Sequence, residues 1–341
     1  MANIREVAER AGVSVGTVSR YLNGVKIRED NAEAIARAVA ELDYHPNLIG
    51  RALTTRRTYA IGVLVASAAN VFVSSSIGDL ETAFERQGYS SLFIDFHGDV
   101  EVLKEKVRFL KRRLVDGLVI FLSEVDAEHL EFLETVGIPV IVVDNPVESG
   151  VVDSIVVDNA TSAASMVGAM LDAGHRRVGV IAPSQETYVG RRRLKGWADA
   201  FEARGMSACT QDVRLCSPSK EEGYAAACSL LDDGEVSALF ACNYYLALGA
   251  LKAINSRGLR PGVDVGFASF DDFDFSDVMH PALAVVRQPM GEIIDMVASL
   301  MCSRLDGART DVGIRTLSCS VSVTDSIMGG LQEEQGFCAT D

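Results

Sequence analysis

No cysteine precedes Cys209, and all seven lie between Cys209 and Cys338 without a CxxC pair. An odd, unpaired set excludes a disulfide framework and a zinc finger, and points to reduced thiols in a cytoplasm. Histidine occurs five times, at His45, His97, His129, His175 and His280, too scattered to form a ligand cluster. No GxGxxG, P-loop or HExxH pattern is present, which removes the common dinucleotide, nucleotide and zinc-protease chemistries. No catalytic residue, cofactor or metal is therefore expected. No run approaches the roughly 18 apolar residues of a membrane span. The opening Met1-Ala2-Asn3-Ile4-Arg5-Glu6 has no apolar stretch of the secretory kind. Tryptophan appears once, as Trp197, at helical spacing from Leu194 and Phe201. That spacing assigns it to a core.

What is present is an ordinary globular mixture, 48% hydrophobic and 23% charged over 341 residues, enough for two or three folding units. A net charge of −15 argues against nucleic acid until its distribution is read. Residues 1–60 carry nine lysines and arginines against seven acids, while the remainder carries 23 against 40. Between residues 44 and 60 the only charges are Arg51, Arg56 and Arg57. A small basic module ahead of a large acidic body fits a nucleic-acid-binding function.

Residues 1–45 predict three short helices. Asn3 and Glu6 form a capping-box pair, and Ile4, Val7, Ala8 and Ala11 keep one apolar face. Gly12-Val13-Ser14 breaks that helix. Ser14 caps a second one through Val18 and Leu22, which stops at Asn23-Gly24. The third runs from about Glu29 to Leu42. Ala8, Gly12 and Val18 supply what a helix-turn-helix needs: a small residue at the crossing, a glycine for the turn, and a branched apolar residue beneath the second helix. Burying Val18 turns Val15, Gly16, Ser19 and Arg20 outward, where the start of a recognition helix meets the major groove. Arg20 suits guanine, and Ser14, Thr17, Ser19 and Asn23 suit phosphates. A helical bundle without a ligand is the plainer alternative.

After residue 58 short β-rich runs alternate with helical segments. The runs are Ala60–Ala66, Ser91–Phe96, Gly117–Leu122, Pro139–Val143, Ser154–Val157, Val178–Ile181, Ala238–Ala241 and Val263–Ala268. The helical segments are Ile77–Gln87, Val102–Arg113, Ala160–Ala173, Arg193–Arg204, Glu222–Leu231 and Leu246–Ser256. This order implies parallel sheets covered on both faces, in two similar lobes. In such a protein ligands bind at the carboxyl ends of the strands, between the lobes. Asn70 and Phe72, Ser123 and Asp144 follow the first, third and fourth strands, and Arg193, Asn243 and Asp271 come from the second lobe. A solvated helix start is the alternative for Arg191-Arg192-Arg193. Residues 329–341, polar and glycine-rich, read as a disordered tail.

Three stretches, Ile4–Ser14, Thr17–Asn23 and Tyr44-His45-Pro46-Asn47, resemble the lac repressor family of bacterial regulators. So do Arg57–Gly62, Val115-Asp116-Gly117, Gly174–Arg177, Phe270-Asp271-Asp272 and Leu283–Pro289, and the match runs in order from about residue 3 to 325. It implies an α/β protein with a helix-turn-helix headpiece (1–45), a hinge helix (46–58) and a two-lobed body like the periplasmic binding proteins (59–328). The first lobe would hold 59–158 and 290–317, the second 159–289 and 318–328.

The resemblance further implies a homodimer on double-stranded palindromic operator DNA, acting as a repressor or activator under a small effector. Tyr44, Asn47, Arg51 and Leu53 would join the DNA contacts, with Leu53 as a minor-groove wedge. Arg193 and Asp271 would form the main polar clamp on a sugar or sugar phosphate, with a purine as the alternative. The sequence departs from the family pattern at Gly50 and Thr54, at Val71 in place of proline, at Tyr244 in place of aspartate, and at Pro218 near a position where some members carry a stacking aromatic. A sugar-binding transport protein shares the two-lobed fold, but would not begin with a DNA-binding module.

Overall fold

The computed structural model describes residues 2–22, 25–44, 57–68, 70–113, 115–122, 130–308 and 311–330. The expectations for Asn23, Asn47, Arg51, Leu53 and Ser123 fall outside these, as does most of the hinge segment and the side chain of Phe72. The chain divides into two compact units, Met1–Tyr59 and Ala60–Asp341.

The first unit is built on three helices, α1 (Ile4–Ala11), α2 (Val15–Leu22) and α3 (Glu29–Glu41). The Asn3 side chain accepts from the Arg5 and Glu6 amides at 2.9 and 3.1 Å, and Glu6 returns to the Asn3 amide, completing the capping box. Gly12 closes α1 at φ +68°, a left-handed conformation that glycine adopts without Cβ strain. Val7, Ala8, Val18, Ile35, Ala38 and Tyr44 form the core. Arg10 pairs with Glu41 across α1 and α3.

The second unit carries two six-stranded sheets. The first comprises β1 (Ala60–Val65), β2 (Ser90–Asp95), β3 (Gly117–Phe121), β4 (Val140–Val143), β5 (Val152–Val157) and β11 (Ile314–Leu317). Its order is β11-β5-β4-β3-β1-β2, parallel throughout. The second comprises β6 (Val178–Ala182), β7 (Val213–Leu215), β8 (Ala238–Ala241), β9 (Gly266–Phe270), β10 (Ala284–Arg287) and β12 (Ser320–Ser322), in the order β12-β10-β9-β8-β6-β7. Only β12 runs antiparallel to its neighbour there.

Eight helices accompany the strands among the described residues: α4 (Val71–Ser74), α5 (Ile77–Arg86), α6 (Val100–Arg112), α7 (Asn159–Asp172), α8 (Tyr188–Glu202), α9 (Lys220–Asp232), α10 (Tyr244–Ser256) and α11 (Met290–Leu305). Buried Val, Ile and Leu runs on the central strands reflect coverage of both sheet faces.

The chain crosses between sheets after β5, after β10 and after β11. Two crossings are tied together, because the Asp158 amide donates to Leu317 and the Cys319 amide donates to the Asp158 carboxylate, at 3.0 and 2.9 Å.

Several elements differ from the sequence expectations. The strand expected at Val263–Ala268 begins at Gly266, because Gly262 (φ +77°) and the Arg260–Asp264 pair turn the chain first. Helix α8 begins at Tyr188, five residues early, with the Thr187 hydroxyl accepting from the Gly190 amide. Gly329 and Gly330, assigned to the tail, are ordered, with the Gly330 amide donating to Val263 at 3.3 Å. Among the described residues no helix is long and apolar enough to cross a membrane.

Candidate functional site

In the first unit, packing decides which side of α2 is available. Val18 is fully buried, while Ser14, Val15, Gly16 and Arg20 are exposed and Thr17 and Ser19 are partly so. The Ser14 hydroxyl accepts from the Thr17 amide at 3.2 Å and lies 2.8 Å from the Thr17 hydroxyl. Ser14 thus starts the helix before it meets any ligand. Tyr44 is different from its expected place, because its ring is buried with Val7, Ile35 and Ala38, leaving 8% exposed. Gly12-Val13-Ser14-Val15-Gly16 spells GxSxG, but it joins two helices rather than a strand to a helix, and so forms no nucleophile elbow.

In the second unit, charge gathers where the carboxyl ends of both sheets face one another. Arg193 projects from α8 and is 4% exposed. Its Nε donates to the Asn159 side chain at 2.8 Å, and Nη1 donates to the Cys242 carbonyl at 2.7 Å. The guanidinium carbon lies 3.6 Å from the Phe270 ring centroid. This buried, stacked cation is no solvated helix start. Its position depends on Gly196, one turn along α8, where a Cβ would overlap the Ala160 carbonyl. That close crossing brings Asn159, at the start of α7, within reach of Arg193.

Asp271 follows β9 in a left-handed conformation, φ +79°. One carboxylate oxygen accepts from the Gln288 amide nitrogen at 2.6 Å. The other accepts from the Tyr244 backbone amide at 3.3 Å and lies 3.5 Å from Arg193 Nη1. Gln288 is itself buried, and its Oε1 has no hydrogen-bond partner among the described residues.

Asp144 follows β4 from the other lobe, also left-handed at φ +70°, and is 5% exposed. Burial pushes its pKa up to about 6, with Arg193 pulling down and Asp271 pushing up. One cation and two carboxylates, contributed by both lobes, thus lie together in a nearly buried cluster. Non-glycine residues at positive φ concentrate at functional sites, and here two of them are the carboxylates themselves.

The remaining expected positions divide. Asn243 Oδ1 is spent on capping α10, accepting from Tyr245 and Leu246 at 2.8 and 3.1 Å. Asn70 lies at the cleft mouth and caps α4 through its backbone carbonyl. Sequence reasoning missed Asn159, Phe270 and Gln288 as partners of the clamp. It placed Trp197 correctly in the interior, and His175, too, proves to be buried. Trp197 is buried and donates to the Val178 carbonyl at 2.9 Å. His175 is enclosed by Ser237 and the Ile327 carbonyl, and burial lowers its pKa.

Residues 58–313 match the family described as periplasmic binding proteins and sugar binding domain of LacI family. Residues 3–47 match bacterial regulatory proteins, lacI family. The chain belongs to the LacI family. This LacI-family protein is a DNA-binding transcriptional regulator and not an enzyme.

It is 29% identical over 323 residues to the HTH-type transcriptional repressor PurR of Haemophilus influenzae, covering 93% of this chain and 95% of that one. It is 27% identical over 330 residues to the ribose operon repressor of the same species, covering 96% and 99%. Among solved structures, the lac repressor dimer bound to operator and the anti-inducer ONPF shares the fold with a TM-score of 0.84 at 24% identity, covering 96% of this chain and 99% of that one. A complex of the transcriptional regulator CelR with cellobiose gives 0.72 at 26% identity, covering 96% and 100%.

Proposed function

We propose that this regulator is a homodimeric repressor that binds a palindromic operator, and that a neutral polyhydroxylated molecule held by Asp144, Arg193 and Asp271 changes its operator affinity. The arrangement of those three side chains carries the reading. Carboxylates accept hydrogen bonds from vicinal hydroxyls and a guanidinium donates to them. Two carboxylates against one cation already bonded to Asn159 and Cys242 oppose an added phosphate, which favours a sugar over a sugar phosphate. The named relatives support the regulatory half, since they include repressors and a dimer bound to operator. DNA contact falls to the exposed residues of α2, led by Arg20, with Val15, Gly16 and Ser19 beside it. The family resemblance adds Asn23, Asn47, Arg51 and Leu53, outside the described residues, to the proposed DNA contacts. A regulator of this kind works in the compartment that holds the chromosome.

The test is a thermal-shift screen of sugars, sugar phosphates and purines, followed by operator binding with each hit. A ligand present at 100 times its dissociation constant adds roughly 2.7 kcal/mol. A screen in which only phosphorylated sugars or purines raise the melting temperature overturns the neutral-sugar reading.

A further inference from the structure

The chain beyond residue 60 is strongly acidic, with 23 lysines and arginines against 40 acids, yet residues 100–113, helix α6 and the residue after it, carry six cations against two acids. In the second lobe arginines commonly end on aspartates: Arg204 pairs with Asp172, Arg214 with Asp233, Arg257 with Asp232 and Arg287 with Asp272. On α6 Lys104 pairs with Glu101. Lys106, Arg108, Lys111, Arg112 and Arg113 pair with no carboxylate among the described residues, and all but the half-buried Lys106 are exposed. A helix C-terminus favours cations, but α5 and α11 carry one apiece in the last turn, Arg86 and Arg304, where α6 carries Lys111 and Arg112 and is followed by Arg113.

Leu103, Val107 and Leu110 of α6 are buried in the first-lobe core, so the helical period turns Arg108, Phe109 and Arg112 outward. Phe109 is 40% exposed, and the Arg113 guanidinium carbon lies 5.0 Å from its ring centroid. A guanidinium over an aromatic face is held there by the ring. Lys106, Arg108, Phe109 and Arg112 line a shallow groove whose one acid is Glu105. The helix follows β2 and leads back to the start of the parallel strand β3, so its last turn lies at the amino edge of the first sheet. Strand β1 begins at that edge, where the Asp116 amide donates to the Ala60 carbonyl at 2.8 Å. Ala60 is also the residue at which the chain enters this unit from the DNA-binding one.

We propose that the basic end of α6 is a DNA-contacting surface of the body, on which Arg108, Arg112 and Arg113 meet operator phosphates without reading bases. The inference rests on the DNA-binding reading and adds a contact outside the headpiece and the hinge. Duplex DNA carries one negative charge per about 1.7 Å of its axis, and the segment leading to it ends at this edge. Arginines already paired with aspartates would have to give up an ion pair to meet a phosphate. Those on α6 give up none, and a guanidinium donates to phosphate through two parallel hydrogen bonds.

The full-length protein is bound to a fluorescent duplex of about 30 base pairs, selected by the parent from a randomised library, enough for two half-sites. Affinity is measured by anisotropy from about 50 to 200 mM salt. In a dimer each of Arg112→Gln and Arg113→Gln removes two phosphate contacts, so the slope of log affinity against log salt should become shallower by about 2. The parent's advantage over the variant should then shrink roughly 3.5-fold per lost contact across that salt range. Arg112→Lys keeps the charge and should keep the parent slope. The triple variant Arg108→Gln/Arg112→Gln/Arg113→Gln should combine the losses equally on duplexes with altered bases. Its control loses the same charge from exposed second-lobe positions, Arg176→Gln/Arg192→Gln/Lys252→Gln, and should keep the parent slope. An α6 triple whose slope matches the parent's, or a control that changes it as much, overturns the proposal and leaves this face to an acidic protein. A parent that selects no duplex overturns the operator reading as well. Equal melting temperatures of parent and single variants exclude misfolding as the cause of a changed slope.

Discussion

Replacing Asp144 by asparagine should make the protein more stable and less responsive. The side chain is 5% exposed, and its pKa is raised from 3.8 to about 6, chiefly by burial. Between about pH 4 and pH 6 the folded chain therefore holds a proton that the unfolded chain has released. Stability falls as pH rises through that window, and above it the ionised carboxylate weighs against the fold. At 1.36 kcal/mol for each tenfold change in proton affinity, the full cost is about 3 kcal/mol. Asparagine keeps the shape and removes the charge. At pH 7.5 Asp144→Asn should then gain up to about 3 kcal/mol, several degrees in melting temperature for a body of this size.

The gain should shrink on acidification and vanish near pH 4, where the aspartate is protonated as well. The assay is thermal unfolding across pH 4–8, followed by the fluorescence of Trp197 in the second-lobe core. Effector affinity should fall in the same variant, since one acceptor on the ligand has gone. A variant that melts lower than the parent at pH 7.5, or a difference that stays constant from pH 4 to 8, would refute the account of a buried, unfavourably ionised carboxylate.

Arg20→Ala should weaken operator binding by about 1–3 kcal/mol and relax base preference at one position per half-site, read by binding to a set of single-base operator variants. Equal weakening on all sequences would reassign Arg20 to phosphate. Arg193→Ala should abolish the effector response in operator-binding assays and leave effector-free operator affinity nearly intact, because truncating a buried charged partner costs about 2–5 kcal/mol of ligand affinity; normal responsiveness would remove it from the site. Arg304→Leu should destabilise the first lobe by about 3–5 kcal/mol in urea unfolding, since Asp153 is 1% exposed and bound by Arg304 at 2.7 and 2.9 Å. Burial pushes Asp153 up, but Arg304, the Gly313 amide and Arg315 outweigh it and hold the pKa below its ordinary value. In the parent that pair's contribution is present above the ordinary carboxylate range and is lost as pH falls below it; a stability difference unchanged at pH 3 would contradict this.

The parts of this molecule legible in the sequence are those fixed by short-range rules. Asn3, Glu6, Gly12 and Ser14 define the first helices through contacts within three residues. Asp144 and Asp271 could be selected because parallel sheets present their carboxyl-end loops to ligands, and Arg193, on helix α8, through the family resemblance. The partners of the clamp were not legible. Asn159 meets Arg193 only because α7 and α8 cross closely at Gly196, and Gln288 meets Asp271 across 17 residues of chain. Strands β11 and β12 have no apolar run and only exposed or half-buried residues, as edge strands do, so they give no sequence signal. Helix α11 has apolar residues on several faces, so its period is blurred. Signals for both depend on what packs against them, which a single sequence does not state.

The clamp is costly to the folded chain in three separate ways. Asp144 and Asp271 hold left-handed backbones, Asp144 is buried while ionised at neutral pH, and Gln288 keeps a buried carbonyl without a donor among the described residues. A site selected for stability alone would lose each of these to a single substitution. A hydroxylated ligand, as proposed, would relieve two of them together by donating its hydroxyls to the Asp144 carboxylate and to acceptors such as Gln288 Oε1. That relief requires Asp144 on one lobe and Asp271 with Gln288 on the other to meet the same molecule. A ligand shifts an equilibrium only by its differential affinity for the two states. A ligand hydroxyl bonded to Asp144 would favour the arrangement in which that carboxylate is buried over one in which it reached water. Substitutions that remove the buried charge, such as Asp144→Asn, should therefore favour the buried arrangement without ligand and shrink the effector-dependent change in operator affinity. Small-angle scattering of the ligand-free variant should then match the liganded parent, and a profile matching the ligand-free parent would count against this coupling.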